Sequence, residues 1–244
     1  ECGSLVAPGS TGAAVTAGLL GIGRIKGIER PAIVTPIPNE KGGHTFLIDS
    51  GASANAKAKN LLQNALLGYN YAKRVRHIAE PKVGLLNIGA ESTKGSTEAT
   101  EAYELLSKQT WFPFAGNCEG RDIPTGKFDV VVTDGFTGNV VLKFGEGLGR
   151  LFVTMIKDAA NRGGITAKLG ALLLKPALKK YMMKKLDYEE EGGAPLLGIN
   201  GTLIISHGAS RRRAIRNAVR LASQVAEERI PDIVRETLQE ELKD

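Results

Sequence analysis

The run FDVVV, Phe128–Val132, is apolar at every position but one. A strand with one face in water alternates apolar and polar residues, whereas a continuously apolar strand is typical of a parallel sheet covered by helices on both faces. Other runs share its β-rich character: AIVTPI (Ala32–Ile37), TFLID (Thr45–Asp49), KVGLLNI (Lys82–Ile88), FPFAG (Phe112–Gly116) and GTLIIS (Gly201–Ser206). Around them, Thr11–Lys26, Ala56–His77, Ser96–Lys108, Gly138–Asn161, Ala167–Leu186 and Ser210–Arg229 carry helical spacing. The alternation predicts an α/β fold of three layers with a mostly parallel sheet. No repeat, low-complexity tract or Pro/Ser linker divides the chain, so residues 1–244 read as one domain. Gly163–Gly193 is the least sheet-like segment and is expected to project as a helical excursion.

Composition narrows the function. Hydrophobic residues are 42% and charged residues 24% of the chain, as in an ordinary globular domain. A net charge of +6 favours acidic partners, but the basic residues are spread among carboxylates and no nucleic-acid-binding signature is present, so no nucleic-acid role is expected. His44, His77 and His207 have no metal-ligand spacing, and neither metal nor cofactor is expected. Two cysteines, Cys2 and Cys118, make no disulfide framework and fit a reducing compartment such as the cytoplasm. No apolar run reaches the roughly 18–20 residues of a membrane span. The chain opens without Met or a positive leader, and the parent protein is expected to begin earlier.

Candidate chemistry gathers where strands end. GIGRIKG (Gly21–Gly27) and GRDIPTGKF (Gly120–Phe128) resemble nucleotide-binding loops, but their spacing and context are wrong. Four other loops combine glycine with small polar residues. GSTGA offers Ser10, Thr11 and Gly12 at a helix start, and TDGFTGN offers Asp134, Gly135, Thr137, Gly138 and Asn139 at another. NIGAESTKG adds Lys94, and GNCEGRD adds Asn117, Glu119 and Arg121. Open N–H groups and the positive dipole end of a helix suit an anion, and ligands of parallel sheets sit beyond the carboxyl ends of the strands, so the four loops are expected to surround one pocket. Helix capping alone is the rival explanation for each loop taken singly.

His207, in SHGAS, follows a strand and is placed either as a structural residue or as a base or anion contact. Cys118 reads as a small, half-buried residue rather than a nucleophile. Lys168–Leu186 mixes leucines with Lys175 and Lys179, and Pro176 is expected to break or kink it. That segment fits packing against its own core or a partner subunit, or an anionic bilayer surface. Arg213, Arg216 and Arg220 share one helical stripe, which is either a solvated face or a dock for an acidic protein.

In chain order, GSTGA, GRIKGIERPAI, VGLLNIGAESTKG, GNCEGRDI, FDVVVTDGFTGNVVLK, AKLGALLLKPALKK, LDYEEEGGAPLLGINGTLIISHG and the basic helix resemble phosphate acyltransferase, the bacterial PlsX family of phospholipid synthesis. The resemblance runs from about Gly9 to Leu221. It implies transfer of a long-chain fatty acyl group from acyl carrier protein to inorganic phosphate, a fold like that of isocitrate and isopropylmalate dehydrogenases, and a homodimer attached peripherally to the inner face of the cell membrane. It also implies an additional α/β segment before Glu1. The family usually has Asn at the position of Ser10 and an Asn-containing loop where this chain has IDSGASANA. A short-chain phosphate acetyl- or butyryltransferase using coenzyme A thioesters is the alternative within the same chemistry.

Acyl transfer to phosphate requires an aligned phosphate, a stabilised oxyanion and a leaving thiolate, with no covalent acyl-enzyme. Backbone N–H groups of DGFTGN and GSTGA, with Thr137 and Asn139, are the expected anion contacts. Lys94 and Arg121 are expected to neutralise phosphate, and Asp134, Glu119 or His207 to take or place a proton.

Overall fold

The VVV run forms β6 (Val130–Val132), flanked in parallel by β3 (His44–Ile48) and β4 (Val83–Asn87), with β5 (Phe114–Glu119) parallel beyond β4. The computed structural model describes residues 3–183 and 188–241. Its sheet has eight strands in the order β1-β8-β7-β2-β3-β6-β4-β5, where β1 is Leu5–Pro8, β2 Ala32–Pro38, β7 Ala194–Leu197 and β8 Leu203–Ser206. Four pairings are parallel, but β2 is antiparallel to β3 and β7, and β7 is antiparallel to β8. Thus β1, β8 and β2 point one way, and β7, β3, β6, β4 and β5 the other.

Both faces are covered, as the unbroken valines require. Phe46, Ile48, Val130 and Val132 face a core shared with α2 (Ala58–Asn70), α3 (Thr97–Lys108), α7 (Arg212–Glu227) and α8 (Ile230–Glu241). Their alternate neighbours Leu47 and Val131 face the other side with Cys118, Ile123 and Phe128. On that second side, Ala14 and Val15 of α1 (Thr11–Ala17) pack on Ile33, Leu196, Leu203 and Ile205.

Two strands and one long helix escape the sequence reading: β1, β7 and α8. Each strand has only four residues, and LVAP and APLL end or begin beside proline, which weakens a strand signal. The projecting excursion also begins earlier than expected. Helix α4 (Gly135–Arg162) buries only Gly135 and Gly138, and α5 (Gly164–Leu178) buries nothing among its described residues. Pro176 does not break α5, which passes through it and widens only at Lys179–Met183. A short α6 (Tyr188–Glu191) returns the chain to β7.

The root of α4 explains its glycines. Asp49, 1% exposed at the end of β3, accepts N–H bonds at Oδ1 from Ile33, Gly51 and Ala52 (3.0, 3.0 and 2.9 Å) and at Oδ2 from Ser53 (2.9 Å). The loop so ordered lies directly against the first turn of α4. A Cβ on Gly138 would stand 1.9 Å from the Asp49 carbonyl oxygen, and one on Gly135 2.4 Å from that of Ser53. Further along the same helix, a Cβ on Gly145 would meet nothing. Gly138→Ala is therefore expected to cost about 3 kcal/mol through backbone displacement, whereas Gly145→Ala gains roughly 0.5–1 kcal/mol from helix propensity. Urea unfolding of the two variants checks this; equal stabilities would disprove the close approach.

Candidate functional site

Strand direction sorts the expected site residues into two groups at opposite edges of the sheet. The loops after β3, β6, β4 and β5 share one edge, and those after β1 and β8 share the other. A single pocket ringed by all four glycine loops therefore does not form. The reversal at β2 and β7 is responsible, and it is invisible when β1 and β7 are not recognised as strands.

At the β1/β8 edge, two adjacent parallel strands send their helices to opposite faces. Pro8 pairs with Ser206 at their carboxyl ends, α1 leaves to one face and α7 to the other. Such a divergence opens a crevice beyond the strand ends and is the usual ligand position in open α/β sheets. Ser10 caps α1, with a long 3.5 Å bond from Ala13 N–H to its Oγ, leaving the N–H groups of Thr11 and Gly12 with no intrahelical partner. No side chain caps the first turn of α7. Its approach, His207–Ser210, passes close to α1, since a Cβ on Gly208 would sit 3.7 Å from Gly9 Cα. His207 is exposed, and its Nδ1 accepts the Ala209 N–H at 3.1 Å, so a neutral ring carries its proton on Nε2. In that tautomer Nε2–H is a hydrogen-bond donor. Ser210 lies in the same turn, and its buried Oγ has no hydrogen-bond partner among the described residues. The sequence reading missed Ser210 and the α7 N-terminus because the arginine stripe there drew attention to surface charge.

The opposite edge holds the remaining expected residues in other roles. Asp134 caps α4, accepting the Thr137 N–H at 2.8 Å and its hydroxyl at 2.7 Å. Gly135 N–H donates to the Ser53 carbonyl at 3.0 Å, and Gly138 N–H to that of Asp134 at 2.9 Å. Most of the donors that made DGFTGN look like an anion cradle are thus taken by the chain itself. Asn139 is exposed, with its side chain beside Gly51. Glu119 caps the turn Gly120–Thr125 and pairs with exposed Arg121 at 3.0 Å. Asn117, 5% exposed, donates to the Glu91 carbonyl at 2.7 Å and leaves Oδ1 without a partner among the described residues, while Lys94 lies exposed in the loop after β4. Asp49 and Arg30, whose Nη1 donates to Ser53 Oγ at 2.6 Å and to the Asn55 carbonyl at 2.8 Å, organise this edge without having been singled out. An acid at a strand end followed by Ser-Gly-Ala-Ser is the turn signal that would have found the first.

Outside both edges, Arg216 and Arg220 are exposed on α7, and Arg213 pairs with Glu190. Lys175 and Lys179 are exposed, as are Phe144, Phe152, Leu169, Leu172 and Leu173 of α4 and α5. Leu186 lies outside the described residues. Cys118 is fully buried, and burial drives its thiol from an ordinary 9.0 up to about 12, with the carboxylates of Asp122 and Glu119 adding to the rise.

The profile of the family described as fatty acid synthesis protein matches residues 1–232. A phosphate acyltransferase of Heliobacterium modesticaldum is 55% identical over 91% of this chain and 65% of its own length. One from Pelotomaculum thermopropionicum is 48% identical over 98% of this chain and 69% of its own. The chain thus spans about two thirds of the length of the curated relatives it matches. A crystal structure of a phosphotransacetylase from Streptococcus pyogenes superposes with a TM-score of 0.59 at 18% identity, over 93% of this chain and 64% of that one, and shares the fold.

The buried thiol gives a direct check. In a Cys2→Ser background, Cys118 holds about one thiolate in ten thousand near pH 8, and alkylation is expected only after unfolding. Because the unfolded chain releases this proton near 9 and the native chain keeps it to about 12, this thiol's contribution to stability falls as pH rises through that window. Rapid native labelling, read by mass spectrometry, would contradict both.

Proposed function

Because the chain belongs to the fatty acid synthesis protein family, and its close relatives are phosphate acyltransferases, we propose that it transfers a long-chain fatty acyl group from acyl carrier protein to inorganic phosphate. The product is an acyl phosphate for phospholipid synthesis. The same reading assigns the sheet to the isocitrate/isopropylmalate dehydrogenase-like fold, and residues 1–244 to a single domain. The structural observation that supports the proposal is the divergence of α1 and α7 to opposite faces from the adjacent strands β1 and β8, with the N–H groups of Thr11 and Gly12 lacking an intrahelical partner and His207 in the turn after β8.

In this mechanism the turn Ser10–Gly12 and the first turn of α7 bind phosphate through backbone N–H groups, each with a helix dipole behind it. A phosphate oxygen attacks the thioester carbonyl, forming a C–O bond and a tetrahedral oxyanion. The C–S bond then breaks, and the thiolate leaves with a proton. His207 Nε2–H hydrogen-bonds the oxyanion, and the proton of the attacking hydrogen phosphate passes to the leaving thiolate. Phosphate acts directly as nucleophile, and the raised pKa of the buried Cys118 thiol speaks against an acyl-enzyme there. Lys94, Arg121 and Asn139 belong to elements at the other edge, and the same assay tests their part in phosphate binding.

Two surfaces accompany this activity in the proposal. Arg216 and Arg220 on α7, whose first turn borders the crevice, receive the acidic carrier protein, while α4 and α5 meet a second copy or an anionic membrane through their exposed leucines, phenylalanines and lysines. No helix among the described residues is long and apolar enough to cross a membrane, and membrane contact in this reading is peripheral, from the cytoplasm.

Acyl phosphate trapped as its hydroxamate tests the reaction, with palmitoyl–acyl carrier protein, palmitoyl-coenzyme A and acetyl-coenzyme A as donors. Preference for the carrier-protein thioester is expected; preference for acetyl-coenzyme A would favour the short-chain alternative. His207→Ala is expected to lower kcat about 10²-fold. If instead Lys94→Ala and Arg121→Ala raise the phosphate KM while His207→Ala does nothing, the phosphate lies at the other edge. A Leu172→Asp/Leu173→Asp variant that still dimerises is expected to lose binding to anionic liposomes; full binding would remove α5 from the membrane contact.

A further inference from the structure

The motif GRIKGIERP has no part in the mechanism above, yet it builds a cleft. Arg24, Glu29, Arg30 and Pro31 line it together with Val15 and Leu19 of the α1 segment, opposite Ala52 and Ser53. Its volume is about 250 Å³. The charges in it are not balanced. Glu29 is held by Lys59 (3.2 Å) and by Asn60 (2.9 Å), and those contacts keep its carboxyl below the usual range. Arg24 donates only to the Glu29 carbonyl, and Arg30 only to Ser53 Oγ and the Asn55 carbonyl; neither pairs with a carboxylate among the described residues. An arginine engaged by neutral acceptors keeps its full charge and further N–H donors for a ligand. The apolar wall of Val15, Leu19, Pro31 and Ala52 suits an aliphatic portion attached to that anion.

The position of the cleft suggests what the anion is. From Thr11, α1 and the wider turn that continues it to Ile22 run away from the crevice toward Arg24. These twelve residues span roughly 17 Å at helical rise. An extended phosphopantetheine arm, which carries an acyl thioester at one end and a phosphate ester at the other, has comparable length. We infer that the Arg24–Arg30 cleft is an anion subsite that holds the phosphate ester of the acyl donor's arm while the thioester reaches the crevice at Ser10–Gly12. The assignment of the ligand rests on the acyl-transfer reading; the cleft itself does not.

Donors differing only in the phosphate provide the test: palmitoyl-4′-phosphopantetheine and palmitoyl-pantetheine. The single variants Arg24→Ala and Arg30→Ala are each expected to raise KM about tenfold for the phosphorylated donor, leaving KM for palmitoyl-pantetheine and for inorganic phosphate unchanged. Arg30→Lys, which keeps the charge, restores part of the loss. Equal losses with both donors, or none with either, would overturn the subsite. Arg30→Ala also removes the tie to Ser53 and Asn55, so Arg24→Ala, outside that tie, decides if the first variant unfolds. Calorimetric binding of 4′-phosphopantetheine to the unreacting protein separates the two readings. Arginine-dependent binding without acyl-phosphate formation would retain the subsite and discard the reaction. Competition by inorganic phosphate alone at the same arginines would identify free phosphate as the occupant and end the proposal.

Discussion

The arrangement of this protein depends on the seam where the sheet reverses. Strand β2 is antiparallel to both of its neighbours, and β7 repeats the reversal next to it, so two parallel sets are joined back to front. Two adjacent polar side chains close that seam, Ser50 through the Thr35 hydroxyl and the Ile33 carbonyl, and Asp49 more extensively. Asp49 ends β3, reaches across to the Ile33 N–H of β2, and holds three N–H groups of its own loop. Burial raises its pKa, and those four backbone N–H donors act against the rise.

From that seam follow both the placement of the crevice and the exposure of the arm. With β1 and β8 on the far side of the reversal, their carboxyl ends open away from the α4 root, and their helices part to opposite faces. The α4 root in turn holds a 28-residue helix through its first two turns, by two glycines that admit the Asp49 loop and by Val141 against the core. Beyond them, α4 and α5 bury no described residue and leave Phe144, Phe152, Leu169, Leu172 and Leu173 exposed. A surface of that character calls for another surface to cover it.

The glycines of TDGFTGN illustrate how one local pattern serves two ends. A capped, glycine-rich strand-to-helix turn is what an anion site needs, and also what a loop needs in order to pack backbone to backbone against a helix start. Only the partners separate them: Ser53 and Asp134 take the N–H groups of Gly135 and Thr137 here, whereas those of Thr11 and Gly12 find no intrahelical acceptor. His207 was legible as a functional candidate because it follows the apolar run of β8. Ser210 and the Arg24–Arg30 cleft were not, since each acquires meaning from a neighbour distant in the chain.

By itself the sequence determined the class of fold, because unbroken apolar strands such as Val130–Val132 are stable only between two helical layers, and periodicity marks which segments supply those layers. It also carried the family, through long motifs spread over nearly the whole chain. Tertiary structure alone decided strand direction across the seam, and with it which loops share an edge. Direction is set by hydrogen bonding between β7, β2 and their neighbours, pairings of residues far apart in the chain that leave no periodic trace in either strand.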